Sequence, residues 1–449
     1  MIQYLLTAMS ANPQLDRLIV SLGGLGIDVS PRGNSFIRYY PPLRTLPKVD
    51  GVQSLGTTDT TCKSALFVYI PFCTGSCSYC FYVKKTNPCP EDVGGYLDSL
   101  EVQAGMLAEA ITTPFSSAYI GGGTPSFLDV RQIRRLFSIL DGKFGLEDIA
   151  SFTFEASPET LDEEKIGLLG SLGVKRISLG VQSLDDYVLK SMRRRYTKEE
   201  VFPKIDMLRR SGLSYNLDFI FGLQMQGASD VEDVLDLVRS VEPPSVTFYQ
   251  RWSSMYDTQA VDKHVHVLDR SRLGDILESK AIIEEAMLSM GYSKDSLFRF
   301  IKSKSAGCGY CKTVWEDNSC LALGPSAYSY IDGLCFQNTS HIDRFRRQLD
   351  SGLLPIERLK RLTGPEMASR ALILGLKTAG ADSCGVSIDG LQRRYDVTLS
   401  EDASQFLDAL SDVGAILSRQ ESISFTREGS FFAENILNRL IRLDLFYKT

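Results

Sequence analysis

Histidine is scarce in this chain, with three among 449 residues, and so is tryptophan, with two. His264, His266 and His341 all lie far from the one tight group of cysteines, so a closed zinc site built on paired ligands has no local donor set. No run approaches the roughly 18 to 20 consecutive apolar residues of a membrane span. The opening stretch MIQYLLTAMSANPQLDR lacks the basic start of a secretory signal. A cytoplasmic protein without membrane contact is expected. Positive charge is not in excess either: the formal net charge is −6, and basic residues are scattered apart from short runs such as RRR at 193 to 195. That argues against nucleic acid as the partner. Ten cysteines are too sparse for a disulfide scaffold, and a tight cluster of them in a reducing compartment points to a metal or to catalysis.

What is present is ordinary globular composition, 43% hydrophobic and 23% charged, with apolar material for two or three cores. From 65 to about 290, short apolar runs alternate with longer amphipathic stretches, the pattern of βα units on a parallel sheet. The runs are LFVYIPF (66 to 72), SSAYIGG (116 to 122), SFTFEAS (151 to 157), RISLGVQ (176 to 182), YNLDFIFG (215 to 222) and SVTFYQR (245 to 251). Six such strands predict an α/β fold with a partial (β/α)6 TIM-like barrel, whose chemistry sits on the loops after the strand C-termini. Residues 1–62 read as an N-terminal arm, 63–295 as the core, and 296–354 as a linking region covering the active site. Residues 355–449 read as a C-terminal winged-helix-like α+β domain: three helices, a short β-ribbon and a closing helix. Its basic residues are balanced by acidic ones, which favours a packing or substrate-covering role over DNA binding. A monomer is expected.

The densest signal is FVYIPFCTGSCSYCFYVKK, where Cys73, Cys77 and Cys80 fall within eight residues directly after the first strand. A CxxxCxxC loop brings three thiolates to one small inorganic centre, and thiolates are the ligands that iron–sulfur clusters select. Three ligands leave one iron of a four-iron, four-sulfur cluster open to a substrate or cosubstrate. Free thiols packed as small hydrophobes fit poorly in a polar loop with Gly75 and Ser76 between them. A second group, Cys308, Cys311 and Cys320, reads as an auxiliary cluster completed by Cys335 or Cys89, as a redox dithiol, or as ordinary loop cysteines lining a channel; the last is favoured because no fourth ligand is near.

The cysteine loop resembles that of the radical S-adenosylmethionine (SAM) superfamily. Further blocks in order, YIGGGTPSFL (119 to 128), FEASPETLDEEKI (154 to 166), GVKRISLGVQSLDDYVLKSMRRRYT (173 to 197), NLDFIFGL (216 to 223) and ALGPSAYS (322 to 329), resemble its oxygen-independent coproporphyrinogen III dehydrogenase-like branch. The resemblance implies a 4Fe–4S cluster on Cys73, Cys77 and Cys80 whose open iron chelates SAM, with reductive cleavage giving a 5′-deoxyadenosyl radical. It implies SAM contacts at Tyr79 (adenine stacking), Gly121, Gly122 and Gly123 (methionyl amino group) with the Thr124 hydroxyl beside them, Glu155 (accepting from the ammonium or sulfonium-bearing part), Gln182 and Arg194 (ribose and carboxylate) and Asp218 (ribose hydroxyl). Ile220 is implied on the wall of a pocket for a second SAM. Apart from any resemblance, Asp218 on an apolar strand needs a ligand or a structural hydrogen bond to satisfy it. A flavodoxin- or ferredoxin-type electron donor and a small-molecule substrate are the implied partners.

Three departures from that branch shape the expected reaction. Tyr82 stands where the porphyrinogen enzymes carry another cysteine, Phe67 and Tyr69 replace their usual Tyr and His, and YCKTVW (310 to 315) replaces the HNxxYW of haem-chaperone relatives. These favour the class C relatives, radical SAM C-methyltransferases and cyclopropanases that alkylate an sp2 carbon of a natural-product-like substrate through a second SAM. Tetrapyrrole chemistry, either coproporphyrinogen III decarboxylation or anaerobic haem degradation, is the alternative, and a haem-binding chaperone comes third. Tyr69, Tyr82 and Cys311 are the candidate catalytic residues.

Overall fold

The computed structural model describes residues 13–30, 36–59, 63–223, 226, 228–251, 273–378, 385–419 and 422–448; His264 and His266 lie outside them. Along the chain α1 (Pro13–Gly24) precedes β1 (Ser64–Ile70), and strands then alternate with helices: α2 (Pro90–Ala110), β2 (Phe115–Gly122), α3 (Val130–Phe144), β3 (Ser151–Ala156), α4 (Glu163–Ser171), β4 (Arg176–Gln182), α5 (Asp186–Ser191), α6 (Lys198–Arg210), β5 (Ser214–Phe221), α7 (Ala228–Val241) and β6 (Ser245–Gln250). There follow α8 (Leu273–Ser289), β7 (Ser293–Lys294), β8 (Arg299–Ile301), α9 (Gly309–Trp315), β9 (Ser319–Leu323), β10 (Tyr328–Ile331), β11 (Leu334–Asn338), α10 (Ile342–Asp350) and β12 (Ile356–Arg361). The chain closes with α11 (Gly364–Gly375), β13 (Val386–Ser387), α12 (Ile388–Tyr395), β14 (Val397–Leu399), α13 (Glu401–Asp412), β15 (Ile416–Arg419), β16 (Ser422–Phe425), α14 (Arg427–Ser430), α15 (Ala433–Leu440) and β17 (Phe446–Lys448). All six apolar runs are strands. Among the described residues no helix is long and apolar enough to cross a membrane.

The residues form two compact units, Pro42–Asp218 with Ala306–Leu362, and those up to Pro41 with Phe219–Ser305 and Thr363–Thr449. In the first, the strand order is β5, β4, β3, β2, β1, β9, β10, β11, β12. β1 pairs parallel with β2, β2 with β3 and β3 with β4. This is the mainly parallel sheet of a partial TIM-like core. Six of the seven β1 residues are buried, as expected of a strand covered on both faces. The periodicity did not reveal β9, which runs parallel on the other side of β1 with Cys320 opposite Ala65. Helix starts follow local chemistry: Asp129 caps α3 by accepting from the Gln132 amide while Gln132 reaches back, and Asp162 and Asp185 cap α4 and α5.

In the second unit, α1 contributes Leu15, Leu18, Ile19 and Leu22 to the same core as Leu372, Ile373, Leu410, Ile416, Phe425 and Leu437. Helices α11, α12 and α13 with the three-stranded sheet β13, β16, β15 make the C-terminal helical domain with its small wing. A buried ion pair ties the N-terminal segment into it. Lys377 lies 2.7 Å from Glu434, the two side chains being 0% and 5% exposed. Lys377 also donates to the Ile37 carbonyl, and the Ile37 amide donates to Glu434 at 2.9 Å. Removing one member leaves the other charge buried and uncompensated. Lys377→Met is therefore expected to destabilise this unit by about 3–5 kcal/mol, read as an earlier thermal transition, while Lys377→Met with Glu434→Leu recovers part of the loss.

Candidate active site

The cysteine loop is clamped at its base. Lys85 N donates to the Pro71 carbonyl at 2.7 Å and Asn87 N to that of Cys73 at 3.0 Å. A turn in which Cys80 N donates to Cys77 O brings those two residues together, and Ser78 is held by the Met192 and Ser191 carbonyls beyond α5. The end of β2 grips the other side: Gly123 N donates to Ile70 O at 2.8 Å, Thr124 N to Phe72 O at 2.7 Å, and the Thr124 hydroxyl lies 3.5 Å from Cys73 Sγ. A Cβ on Gly123 would stand 2.6 Å from the Phe72 oxygen and 3.0 Å from Cys73 Sγ. Glycine is required there by the loop itself. Likewise a Cβ on Gly121 would strike Tyr119 and Glu155, and Gly122 has φ +112, a conformation that side chains resist.

Glu155 stands at the end of β3 with both oxygens engaged. Tyr119 Oη donates to one at 2.6 Å and Gly122 N to the other at 3.1 Å. Burial lifts its carboxyl to about 7, and the neighbouring Asp218 and Cys308 push the same way. Asp218 receives Ser178 Oγ at 2.8 Å and Asn216 Nδ2 at 2.8 Å, so structural donors satisfy its burial. Gln182, buried with φ +69 at the end of β4, carries backbone strain of the kind found at ligand sites. A Cβ on Gly180 would meet both its amide nitrogen and the Arg194 guanidinium, so these two side chains share one spot. Arg194 donates to Tyr79 Oη at 2.6 Å and lies against the Tyr79 and Tyr196 rings. Burial alone would lower its pKa; the surrounding acidic groups, Tyr79 first, hold it above the ordinary value. Its Nε is buried without a hydrogen-bond partner, which marks a place for an external acceptor.

The remaining sequence candidates are placed differently. Tyr69 spends its hydroxyl on the Val83 carbonyl at 2.7 Å, a strut for the end of the cysteine loop. Tyr82 is 40% exposed and its ring lies 4.8 Å from that of Phe81 on the outside of the loop. Cys311 is half-buried on α9, its amide donating to the buried Cys308 thiol. Cys320 pairs with Tyr310 Oη, Cys335 with Tyr328 Oη, and Cys89 is exposed. Ile220, two residues past Asp218, is buried in β5. Sequence reasoning missed the floor of the site: α9 packs against β1, β2 and β3, with Gly309 N on Ser151 Oγ at 3.2 Å and Ser117 on Thr313 at 3.1 Å. It sets the Tyr310 ring 5.2 Å from Tyr119 and 5.6 Å from Phe67. The one available signal was Tyr119, two positions before Gly121 and hence on the same face of the strand.

The three-cysteine loop fits an iron–sulfur cluster by its donors: all are sulfur, and Cys73 is packed against the glycine that admits it. Among the described residues no three Cys, His, Asp or Glu side chains stand in ligating geometry. Burial, with Cys80 and Cys77 adding to it, pushes the Cys73 thiol up to about 11; a bound cation reverses that penalty. Gly123→Ala is expected to abolish most of the iron incorporated on reconstitution, measured as iron per chain and charge-transfer absorbance. Gly142→Ala in α3, where a Cβ meets nothing within 4 Å, is expected to leave it unchanged.

Comparison with known proteins agrees with this geometry. Residues 67–238 match the model of the radical SAM superfamily. The haem chaperone HemW of Bacillus subtilis is 25% identical over 395 residues, covering 84% of this chain and 99% of that one. The oxygen-independent coproporphyrinogen III oxidase of Pseudomonas aeruginosa is 28% identical over 327 residues, covering 69% and 70%. The structure of coproporphyrinogen III oxidase (HemN) from Escherichia coli superposes with a TM-score of 0.72 at 22% identity over 85% of this chain and 90% of that one. These relatives lend no support to the expected alkylation chemistry. The chain carries a radical SAM superfamily domain, with its 4Fe–4S cluster and SAM, over residues 67–238, and along most of its length it is similar to coproporphyrinogen III oxidases and HemW haem chaperones.

Proposed function

We propose that this radical SAM enzyme acts on a tetrapyrrole of the coproporphyrinogen class, removing a hydrogen atom from a side-chain carbon. The observation that carries the reading is the similarity to an oxygen-independent coproporphyrinogen III oxidase across more than two thirds of both chains. The aromatic floor of Phe67, Tyr119 and Tyr310 supports it, since aromatic side chains give apolar contact area for pyrrole rings. The haem-chaperone reading is weaker here. The segment Tyr310–Trp315 is α9, packed against the sheet strands and without histidine, and the only described histidine, His341, begins α10.

With cluster and SAM bound, one-electron cleavage of SAM supplies the oxidising power for hydrogen abstraction. The chain's residues orient and insulate that event. The Arg194 Nε, buried and unpartnered, offers a charge-assisted hydrogen bond to a carboxylate. Glu155, poised near neutrality, ionises readily beside an ammonium group. Gln182, adjoining Arg194, adds a neutral amide, and the ring cluster on α9 excludes water from below.

Anaerobic turnover of the reconstituted enzyme with SAM, a reductant, a one-electron acceptor and coproporphyrinogen III is expected to yield 5′-deoxyadenosine, carbon dioxide and a decarboxylated tetrapyrrole, the substrate radical left by hydrogen abstraction losing CO2 and passing one electron to the acceptor. Production of 5′-deoxyadenosine with S-adenosylhomocysteine and no tetrapyrrole product would overturn the reading in favour of alkylation. A stoichiometric haem complex without SAM cleavage would overturn it in favour of a chaperone. Arg194→Ala removes a hydrogen bond to a charged group, about 1.5–3 kcal/mol. It is expected to weaken SAM binding by about 10- to 100-fold in equilibrium titration.

A further inference from the structure

The second structural unit contains a cavity of about 60 Å³ that the radical chemistry leaves unused. Its walls are apolar: Phe221, Phe248, Phe298, Phe300 and Phe431, with Ile283 and Leu297. Two of its lining residues, Phe221 and Gln250, are the last residues of β5 and β6. Strand C-terminal ends are where open α/β sheets receive ligands.

Charge enters this apolar space unevenly. Glu284 is bound by Lys294 and by Arg427 Nε at 3.1 Å. Glu434 is bound by Lys377 at 2.7 Å and by the Ile37 amide. Lys280, on α8 one turn before Glu284, has no carboxylate within ion-pair distance among the described residues. Its ammonium donates to the Phe431 carbonyl at 2.5 Å, its only hydrogen bond among the described residues. The lining thus holds two lysines and two carboxylates; each carboxylate has a cation of its own, and Lys280 is the wall lysine with no carboxylate partner among the described residues. A partly buried ammonium among phenyl rings, with no carboxylate beside it, is costly, and a bound anion offsets that cost.

We infer that this cavity binds a short aliphatic carboxylate of propionate size, with the carboxylate on Lys280 and the chain among the phenylalanine rings. The size follows from the volume: at about 10–15 Å³ per water-sized body, the space takes roughly four to six of them, about the heavy-atom count of propionate. A longer aliphatic acid fits less well, and a cation is repelled by the Lys280 ammonium, which no carboxylate neutralises. The acid is either free or the side arm of a larger molecule. The second source rests on the tetrapyrrole reading above; the first does not.

The charge state of Lys280 sets the pH dependence. Burial, helped by the nearby Lys294 and opposed by Glu434 and Glu284, brings it down to about 7. The charged form that binds a carboxylate therefore prevails below about pH 7 and is lost as pH rises through it. Isothermal titration of the full-length reconstituted protein with sodium propionate, at pH 6 and pH 8.5, tests the assignment. Binding is expected at pH 6, weaker by 10-fold or more at pH 8.5. Lys280→Arg is expected to bind alike at both pH values, and Lys280→Met to weaken binding at least 10-fold at pH 6 with its thermal transition retained. Absence of propionate binding, equal binding of butylammonium, or binding unchanged in a folded Lys280→Met would each overturn it. Coproporphyrin III competing with propionate identifies the side-arm source, and propionate binding without such competition identifies the free acid. Neither propionate arm needs turnover, so failure here leaves the proposed reaction standing, and failure of turnover leaves the cavity standing.

Discussion

The parallel pairing of β1 with β2 is the constraint on which the site depends. It sets Tyr69 opposite Gly121 and Ile70 opposite Gly122, so both strands deliver their C-terminal loops to one place. The amides of Gly123 and Thr124 then bond the backbone on which the first cysteine sits. This contact is backbone on backbone, too close for a side chain, and that is why a glycine run follows the second strand. Loosening it would move Cys73 relative to Glu155, and with it the cluster loop relative to the residues that would hold SAM.

Around that fixed point the site is built from groups whose burial is only partly compensated. Glu155 is held near neutrality by enclosure and by the negative charge of Asp218, while Arg194 is kept charged but carries one donor with nothing to bond. A folded protein tolerates such groups at a cost, and a zwitterionic ligand relieves both ends at once. Asp218 is the counterexample: Ser178 and Asn216 already satisfy it, so burial of a carboxylate on an apolar strand did not by itself distinguish a ligand residue from a structural one.

Local rules made much of the fold readable. The apolar runs fell on the six strands because parallel strands buried on both faces are continuous in hydrophobicity. β9 was not readable in this way. SCLAL has the texture of a buried strand, yet its partner β1 lies about 250 residues earlier, and nothing local specifies that pairing. α9 was hidden for a related reason: a seven-residue helix has no amphipathic period to detect, and its position under Tyr119 follows from contacts with three separate strands.

The sequence by itself determined the three-cysteine loop, the glycine run and the order of the βα units, because thiol spacing, backbone freedom and hydrophobic period are properties of neighbouring residues. Only the tertiary structure decided which side chains face the site. It turned Tyr82 outward, spent the Tyr69 hydroxyl on a loop carbonyl, brought Gln182 to Arg194, and left Lys280 without a carboxylate in a phenylalanine-lined cavity. Those outcomes depend on how the backbone turns back on itself, within one short segment for Tyr69 with Val83 and Gln182 with Arg194 and between distant segments for Lys280 with Phe431, and that path is set by packing and not by the identity of neighbouring residues.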